Sequence, residues 1–362
     1  LNGTKIFHEE HSEIENKFRK VPGGIGINDG KPDPLSIIQQ NFNSPKAETL
    51  IMSQSFDGGA NSDNTSGIAP PDTQGDVSPD YYVQMINNVT TIFDRSGNVL
   101  QGPFNSSDIW SGFGIFGNTN DGDPIVLWDE EAQRWLVSQF AVPATDGNYY
   151  ELIAISQTDD PRGSYYRYAF QFDDFNDYPK LAVWPDGYYC GQNAFNAGTG
   201  SSLGIYATVF ERDEMLIGNP SARMVNFEDA SEFAVFPADA DDFTNIPAGA
   251  PCYFVSDMVQ TYTGNDEVYI YEFDVDWTTP ANSTFALSQT LSVTPYGFFG
   301  GTDGDGDSQA PQPGCTNQLD LLHYRTMYRS NYRPFGTHNS LVMCRTVDPN
   351  NNGLDNGEAG IR

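Results

Sequence analysis

Asp123-Pro124-Ile125-Val126-Leu127-Trp128-Asp129-Glu130-Glu131-Ala132-Gln133-Arg134-Trp135-Leu136-Val137-Ser138-Gln139-Phe140 holds two apolar runs, rich in β-branched and aromatic residues, either side of a polar turn. Such a pattern predicts two short strands joined as a hairpin. Residues 149–155 and 165–172 extend it to a group of four strands. Working outward, the same unit returns. Upstream lie 81–86, 91–94 and 99–100, with Arg95-Ser96-Gly97-Asn98 as a turn. Downstream lie 180–184, 187–192, 204–210 and 223–227, then 253–257, 267–273 and 285–293, then 324–331 and 340–346. Gly360-Ile361-Arg362 begins what reads as a further strand. Short antiparallel strands in groups of four, repeating every about 40 to 70 residues, are the arithmetic of propeller blades. The expected fold is therefore all-β, a five-bladed β-propeller, with innermost strands beginning near Val83, Ile125, Leu181, Tyr253 and Tyr324. A large two-sheet sandwich is the competing arrangement. Met52-Ser53-Gln54-Ser55-Phe56 is expected to supply an outer strand that closes the ring.

Several segments also carry a resemblance. They are Pro70-Pro71-Asp72-Thr73-Gln74-Gly75-Asp76-Val77-Ser78-Pro79, Asp121-Gly122-Asp123-Pro124-Ile125-Val126-Leu127-Trp128-Asp129, and Tyr178-Pro179-Lys180-Leu181-Ala182-Val183-Trp184-Pro185-Asp186-Gly187-Tyr188-Tyr189. Tyr324-Arg325-Thr326-Met327-Tyr328-Arg329 and Phe335-Gly336-Thr337-His338-Asn339-Ser340-Leu341-Val342 belong with them. Together they resemble a family of secreted, Bacteroidetes-like bacterial β-propeller surface proteins over roughly residues 48–362. The resemblance implies a secreted or surface role and carries no catalytic residue over. It also implies a chain that continues beyond Arg362.

Charge excludes other roles. Against 18 Lys+Arg stand 49 Asp+Glu, a net charge of −31. Phosphate backbones and anionic membranes repel such a chain, so neither nucleic acid nor a membrane surface is an expected partner. The 24 Phe, 19 Tyr and 5 Trp supply enough burial to exclude disorder. No apolar run approaches the roughly 18 residues of a membrane span. The chain starts at Leu1, as a processed, exported protein would. Cys190, Cys252, Cys315 and Cys344 show no CxxC spacing, which argues against zinc. Their even number fits disulfides, with Cys252–Cys315 the first pair to consider, though buried free thiols fit equally. Asn2, Asn64, Asn88, Asn105 and Asn282 begin glycosylation sequons. The expected location is extracellular, on the cell surface.

Propellers bind ligands at the channel mouth. The residues expected there are Asp72, Asp76, Asp123, Lys180, Arg325 and Arg329, with Asp177 and Asp257 nearby. Acids and bases converging from different blades suit a sugar. Five-bladed glycoside hydrolases spread carboxylates over blades in this way, but no Glu here stands at a strand start to serve as the acid. The alternative reading of these Asp residues is turn capping. Asp303, Asp305 and Asp307 alternate with Gly in a loop, a donor set suited to calcium, without the closing Glu or flanking helices of a helix–loop–helix site. Asp239-Ala240-Asp241-Asp242 and the stretch 348–355 are weaker versions. No G-x-S-x-G elbow accompanies His338 and Ser340, so a serine hydrolase is not expected.

Residues 1–47 lack strand periodicity, carry Lys5, Lys17, Arg19 and Lys20, and show one short helix-like stretch at 9–19. They form an expected extended N-terminal arm, and 48–362 the propeller domain. A polar arm that docks on a neighbour by strand addition gives a self-assembling, adhesive surface protein whose partners are copies of itself. The alternatives are a glycan-active, glycoside hydrolase-like propeller and a calcium-stabilised carbohydrate-binding module.

Overall fold

The computed structural model describes residues 54–60, 62–64, 68, 70–258, 266–293, 310–311, 318–319, 325–347 and 360–361. Blade 1 is the antiparallel sheet β1 (Gln74–Val77), β2 (Tyr81–Ile86), β3 (Val89–Asp94) and β4 (Val99–Asn105). Blade 2 is β5 (Ile125–Asp129), β6 (Arg134–Ala141), β7 (Tyr149–Ser156) and β8 (Tyr165–Phe172). Blade 3 is β9 (Phe175–Trp184), β10 (Gly187–Phe195), β11 (Ser202–Phe210) and β12 (Met224–Asp229). Blade 4 is β13 (Phe236–Ala240), β14 (Cys252–Met258), β15 (Asp266–Asp274) and β16 (Thr284–Val293). Two-residue strands β17 (Ala310–Pro311) and β18 (Gln318–Leu319) pair with each other. Blade 5 contributes β19 (Met327–Pro334) and β20 (Asn339–Cys344), followed by the short pair β21 (Thr346–Val347) and β22 (Gly360–Ile361). The one α-helix among the described residues, α1 (Arg212–Leu216), is a single turn after β11.

The first strand of each blade lines the axis. β1 lies beside β5, β5 beside β9, and β9 beside β13. β13 in turn pairs in parallel with β19, with Ala238 opposite Ser330. Arg329 of β19 then reaches back to Asp76 of β1 at 3.3 Å, so the ring of five is closed. The fold is a five-bladed β-propeller.

Blade packing explains why the apolar runs do not alternate with polar residues. Ile125 and Leu127 of β5 join the core shared with blade 3, while Val126 and Trp128 join the core shared with blade 1. A strand has one side-chain face per neighbour, and in a propeller both faces are covered, so the run reads continuously hydrophobic. Trp184 of β9 likewise packs in the core between blades 3 and 4. Tyr188 and Tyr189 are both fully buried for the same reason.

Three sequence expectations need correction. Val83 and Tyr253 stand on second strands, β2 and β14, not on innermost ones; Ile125 opens an innermost strand, and Leu181 lies within β9. The true first strands of blades 1 and 4, QGDV and FPADA, are short and polar or Pro-containing; the first is partly exposed and the second fully buried. Residues 54–56 are not a strand; Phe56 packs on Tyr82 and Phe93 of blade 1, at 6.0 and 5.3 Å between centroids. Cys190 and Cys252 are buried thiols and Cys344 a half-buried one, with no disulfide among the described residues; the Cys252–Cys315 pairing involves a residue outside them. Among the sequons, Asn64 and Asn88 are buried, which removes them as glycan carriers in the folded chain, whereas Asn105 and Asn282 are exposed. The N-terminal arm, its helix-like stretch, and Cys315 lie outside the described residues.

Candidate functional site

One backbone device recurs where the innermost strands begin. Asp72 (φ 39°) precedes β1, Asp123 (φ 49°) precedes β5, Tyr178 (φ 53°) lies in the first half of β9, and Ala234 (φ 52°) precedes β13. A side chain at positive φ costs free energy, on the order of 1–3 kcal/mol, and persists only where the surroundings impose it. Those surroundings are visible. The Asn87 side chain, buried at the end of β2, accepts a hydrogen bond from the Asp123 backbone N–H at 3.0 Å. Its Nδ2 donates to the Pro70 carbonyl at 2.8 Å and to the Asp72 carboxylate. Asn193 repeats the device on β10, accepting from the Ala234 N–H at 2.9 Å. Asn87 thus ties the carboxylate of blade 1 to the backbone that presents Asp123 on blade 2. Both acids are half-buried.

Blades 3 and 5 bring two cations together. The Lys180 ammonium lies 3.5 Å from the Tyr178 ring centroid and donates to the Pro179 carbonyl at 3.1 Å. The Arg325 guanidinium, just before β19, lies 4.0 Å from the same ring. Burial lowers the pKa of Arg325. Two cations about one tyrosine ring would repel each other in water; the ring quadrupole offsets part of that cost. Next to Arg325, the Thr326 hydroxyl donates to Asp257 of β14 at 2.8 Å, and Arg345 pairs with the same carboxylate.

Behind Lys180, Glu151 of β7 is completely buried. It accepts from Gln192 Nε2 at 3.1 Å and from Asn176 Nδ2 at 3.3 Å. Burial pushes its carboxyl up to about 8, although Ser138, Gln192 and Lys180 pull the other way, so it holds its proton at neutral pH.

Of the six residues expected at the channel mouth, four stand at this strand-opening end: Asp72, Asp123, Lys180 and Arg325. Asp76 and Arg329 stand four residues further along their chains, about 13 Å at strand rise. Arg329 pairs there with Asp239 at 2.8 Å as well as with Asp76 at 3.3 Å. Asp76 also accepts the Trp128 N–H at 3.0 Å, and Asp239 the Val183 N–H at 2.7 Å. Desolvation alone would lower the pKa of Arg329, but the Tyr328 oxygen and the two carboxylates raise it on balance. This lower cluster stitches blades 1, 4 and 5 together. Asp303, Asp305 and Asp307, and residues 348–355, lie outside the described residues. No group of three or more His, Cys, Asp or Glu placed to hold a metal occurs among the described ones.

The sequence reading missed Asn87, Asn193, Tyr178 and Glu151. Glu151 did carry a signal, as the lone acid in the apolar strand YYELIAIS. The two asparagines carried none, since Asn ending a strand reads simply as a turn residue.

No family profile matches the chain, and no curated protein sequence matches it. Solved structures do. An exo-β-1,3-galactanase from Clostridium thermocellum is 12% identical over 82% of this chain and 59% of its own length, with a TM-score of 0.36. A GH43_1 enzyme from Xanthomonas citri, solved with xylose, is 12% identical over 80% of this chain and 85% of its own, at a TM-score of 0.34. An exo-1,5-α-L-arabinanase from a bovine ruminal metagenomic library is 12% identical over 80% and 91%, at 0.32. This chain therefore spans less than two thirds of the galactanase. Similarity this low assigns no residue a role.

Proposed function

We propose that the protein is a glycan-active β-propeller, with a glycoside hydrolase-like site at the strand-opening end of its channel. The observation that carries this reading is a pair of links between blades: Asn87 ties Asp72 of blade 1 to the backbone of Asp123 on blade 2, and Lys180 of blade 3 shares the Tyr178 ring with Arg325 of blade 5. The backbone holds each acid in a strained conformation that Asn87 fixes. Carboxylates accept the hydroxyl hydrogen bonds of a sugar ring, and a pair of them supplies the acid and base that glycoside cleavage requires. The positive charge of Lys180, with the fully buried Arg325 on the same tyrosine ring, favours a sugar bearing negative charge, such as a uronate or a sulfate ester. Glu151 does not touch ligand; as a neutral acid behind Lys180 it positions that group without cancelling its charge. A secreted or surface location is part of the proposal.

The test is a panel of neutral, acidic and sulfated polysaccharides incubated with purified protein. Turnover is expected on a charged glycan. Asp72→Asn or Asp123→Asn should each lower it by about a hundredfold or more, the usual worth of a general acid or base. Binding to glycans without turnover would move the protein to the carbohydrate-binding class. Neither turnover nor binding across the panel would overturn the proposal.

A further inference from the structure

A second site lies away from the channel. Between the outer halves of blades 1 and 2 is a cleft of about 520 Å³, within the usual range for small-molecule pockets. Blades normally close on each other, and here a local irregularity lines the gap between them. The β3–β4 ladder shifts register between Thr90 and Ile92, where β4 places the left-handed Gly102 and Pro103. A Cβ at Gly102 would lie 2.6 Å from the Thr90 carbonyl oxygen, so only glycine lets β4 approach β3 there. Bulges of this kind re-aim strands and cluster beside binding sites.

The floor of the cleft is apolar, formed by Val83 and Ile92 of blade 1 and Val137 of blade 2. Phe104 stands on one side and Tyr165 on the other. The polar end is Arg167. Among the described residues its guanidinium donates to the carbonyls of Ile109 and Ser111, at 3.2 and 2.8 Å, and lies over Phe113; no carboxylate there pairs with it. Arg162, also lining the cleft, is already held by Asp160 at 2.6 Å. Arg167 therefore brings to the cleft a guanidinium that no carboxylate among the described residues neutralises by direct pairing. Asp108, exposed at the rim, balances that charge overall, so the positive end of the cleft is local to Arg167.

We infer that this cleft binds a small monocarboxylate, its apolar body on Val83, Ile92 and Val137 and its carboxylate on Arg167. A dianion such as a phosphate ester would meet Asp108. The body is aliphatic or aromatic, and the probes below separate the two.

The experiment is calorimetric titration of the purified protein with octanoate and with hydrocinnamate, alongside octanol and hydrocinnamyl alcohol. One-to-one, saturable binding of at least one acid is expected, with the neutral alcohol of the same body weaker. Arg167→Gln should weaken the acid by about tenfold or more, the worth of a charged hydrogen bond, and leave the alcohol unchanged. Ser164→Trp, at the exposed rim, should block acid and alcohol alike, and it serves if Arg167→Gln melts at a much lower temperature. Absence of saturable binding by either acid overturns the proposal. So does wild-type affinity for the acid in both variants.

Discussion

Glu151→Gln isolates one buried proton. In the unfolded chain this carboxyl titrates at its ordinary 4.5, and in the fold it is pushed up to about 8. Between those values the native state holds a proton that the unfolded chain has released, so native stability must fall as pH rises. Stability from this group is complete below about 4.5, declines through the interval, and is fully lost above about 8. The gap of roughly 3.5 units, at about 1.4 kcal/mol each, amounts to roughly 5 kcal/mol. Glutamine keeps the shape and the acceptor facing Gln192 and Asn176 but cannot ionise. Urea denaturation of both proteins at intervals from pH 4.5 to 9 would give the difference in unfolding free energy, in which all other titrating groups cancel to first order. That difference should swing toward the glutamine variant by several kcal/mol as pH rises. A difference that stays flat would show that Glu151 is ionised at neutral pH inside the fold, and the account of the neutral acid behind Lys180 would be wrong.

Other perturbations probe the ring and the segments beyond it. Arg329→Met leaves Asp76 and Asp239 facing each other without their cation and should cost about 3 kcal/mol, read as a lower urea midpoint at unchanged slope. Gly191→Ala places a methyl 2.1 Å from the Val235 carbonyl oxygen, where backbone meets backbone, and should destabilise by about 1–3 kcal/mol or more in the same assay. If Asp303, Asp305 and Asp307 hold calcium, chelation should lower the melting temperature of the wild type and leave the triple Asn variant unchanged. If residues 1–47 mediate self-assembly, their removal should leave a folded monomer in sedimentation; a truncated protein that still assembles would defeat that idea.

The repeat of short, aromatic and β-branched strands determined the propeller without help from coordinates. Runs such as Ile125 to Trp128 are apolar on both faces, and only a sheet covered on both sides buries them. The placing of Asp72 and Asp123 just before innermost strands was legible too, since charged residues beside strand starts stand out in such a chain. Tertiary structure decided which strand of each blade is innermost. QGDV and FPADA show no strand periodicity, because their acids Asp76 and Asp239 are there to meet Arg329, a pairing that only the closed ring brings together. It also separated Asp76 and Arg329 from the other four, a matter of height along the axis that residue type does not record. Asn87, Asn193 and Glu151 act across blade boundaries: Asn87 reaches Asp123 36 residues away, and Glu151 meets Gln192 41 residues away. Contacts at that separation are set by how blades stack. Composition told what the channel mouth is made of, and the stacking of five sheets told which of those groups meet.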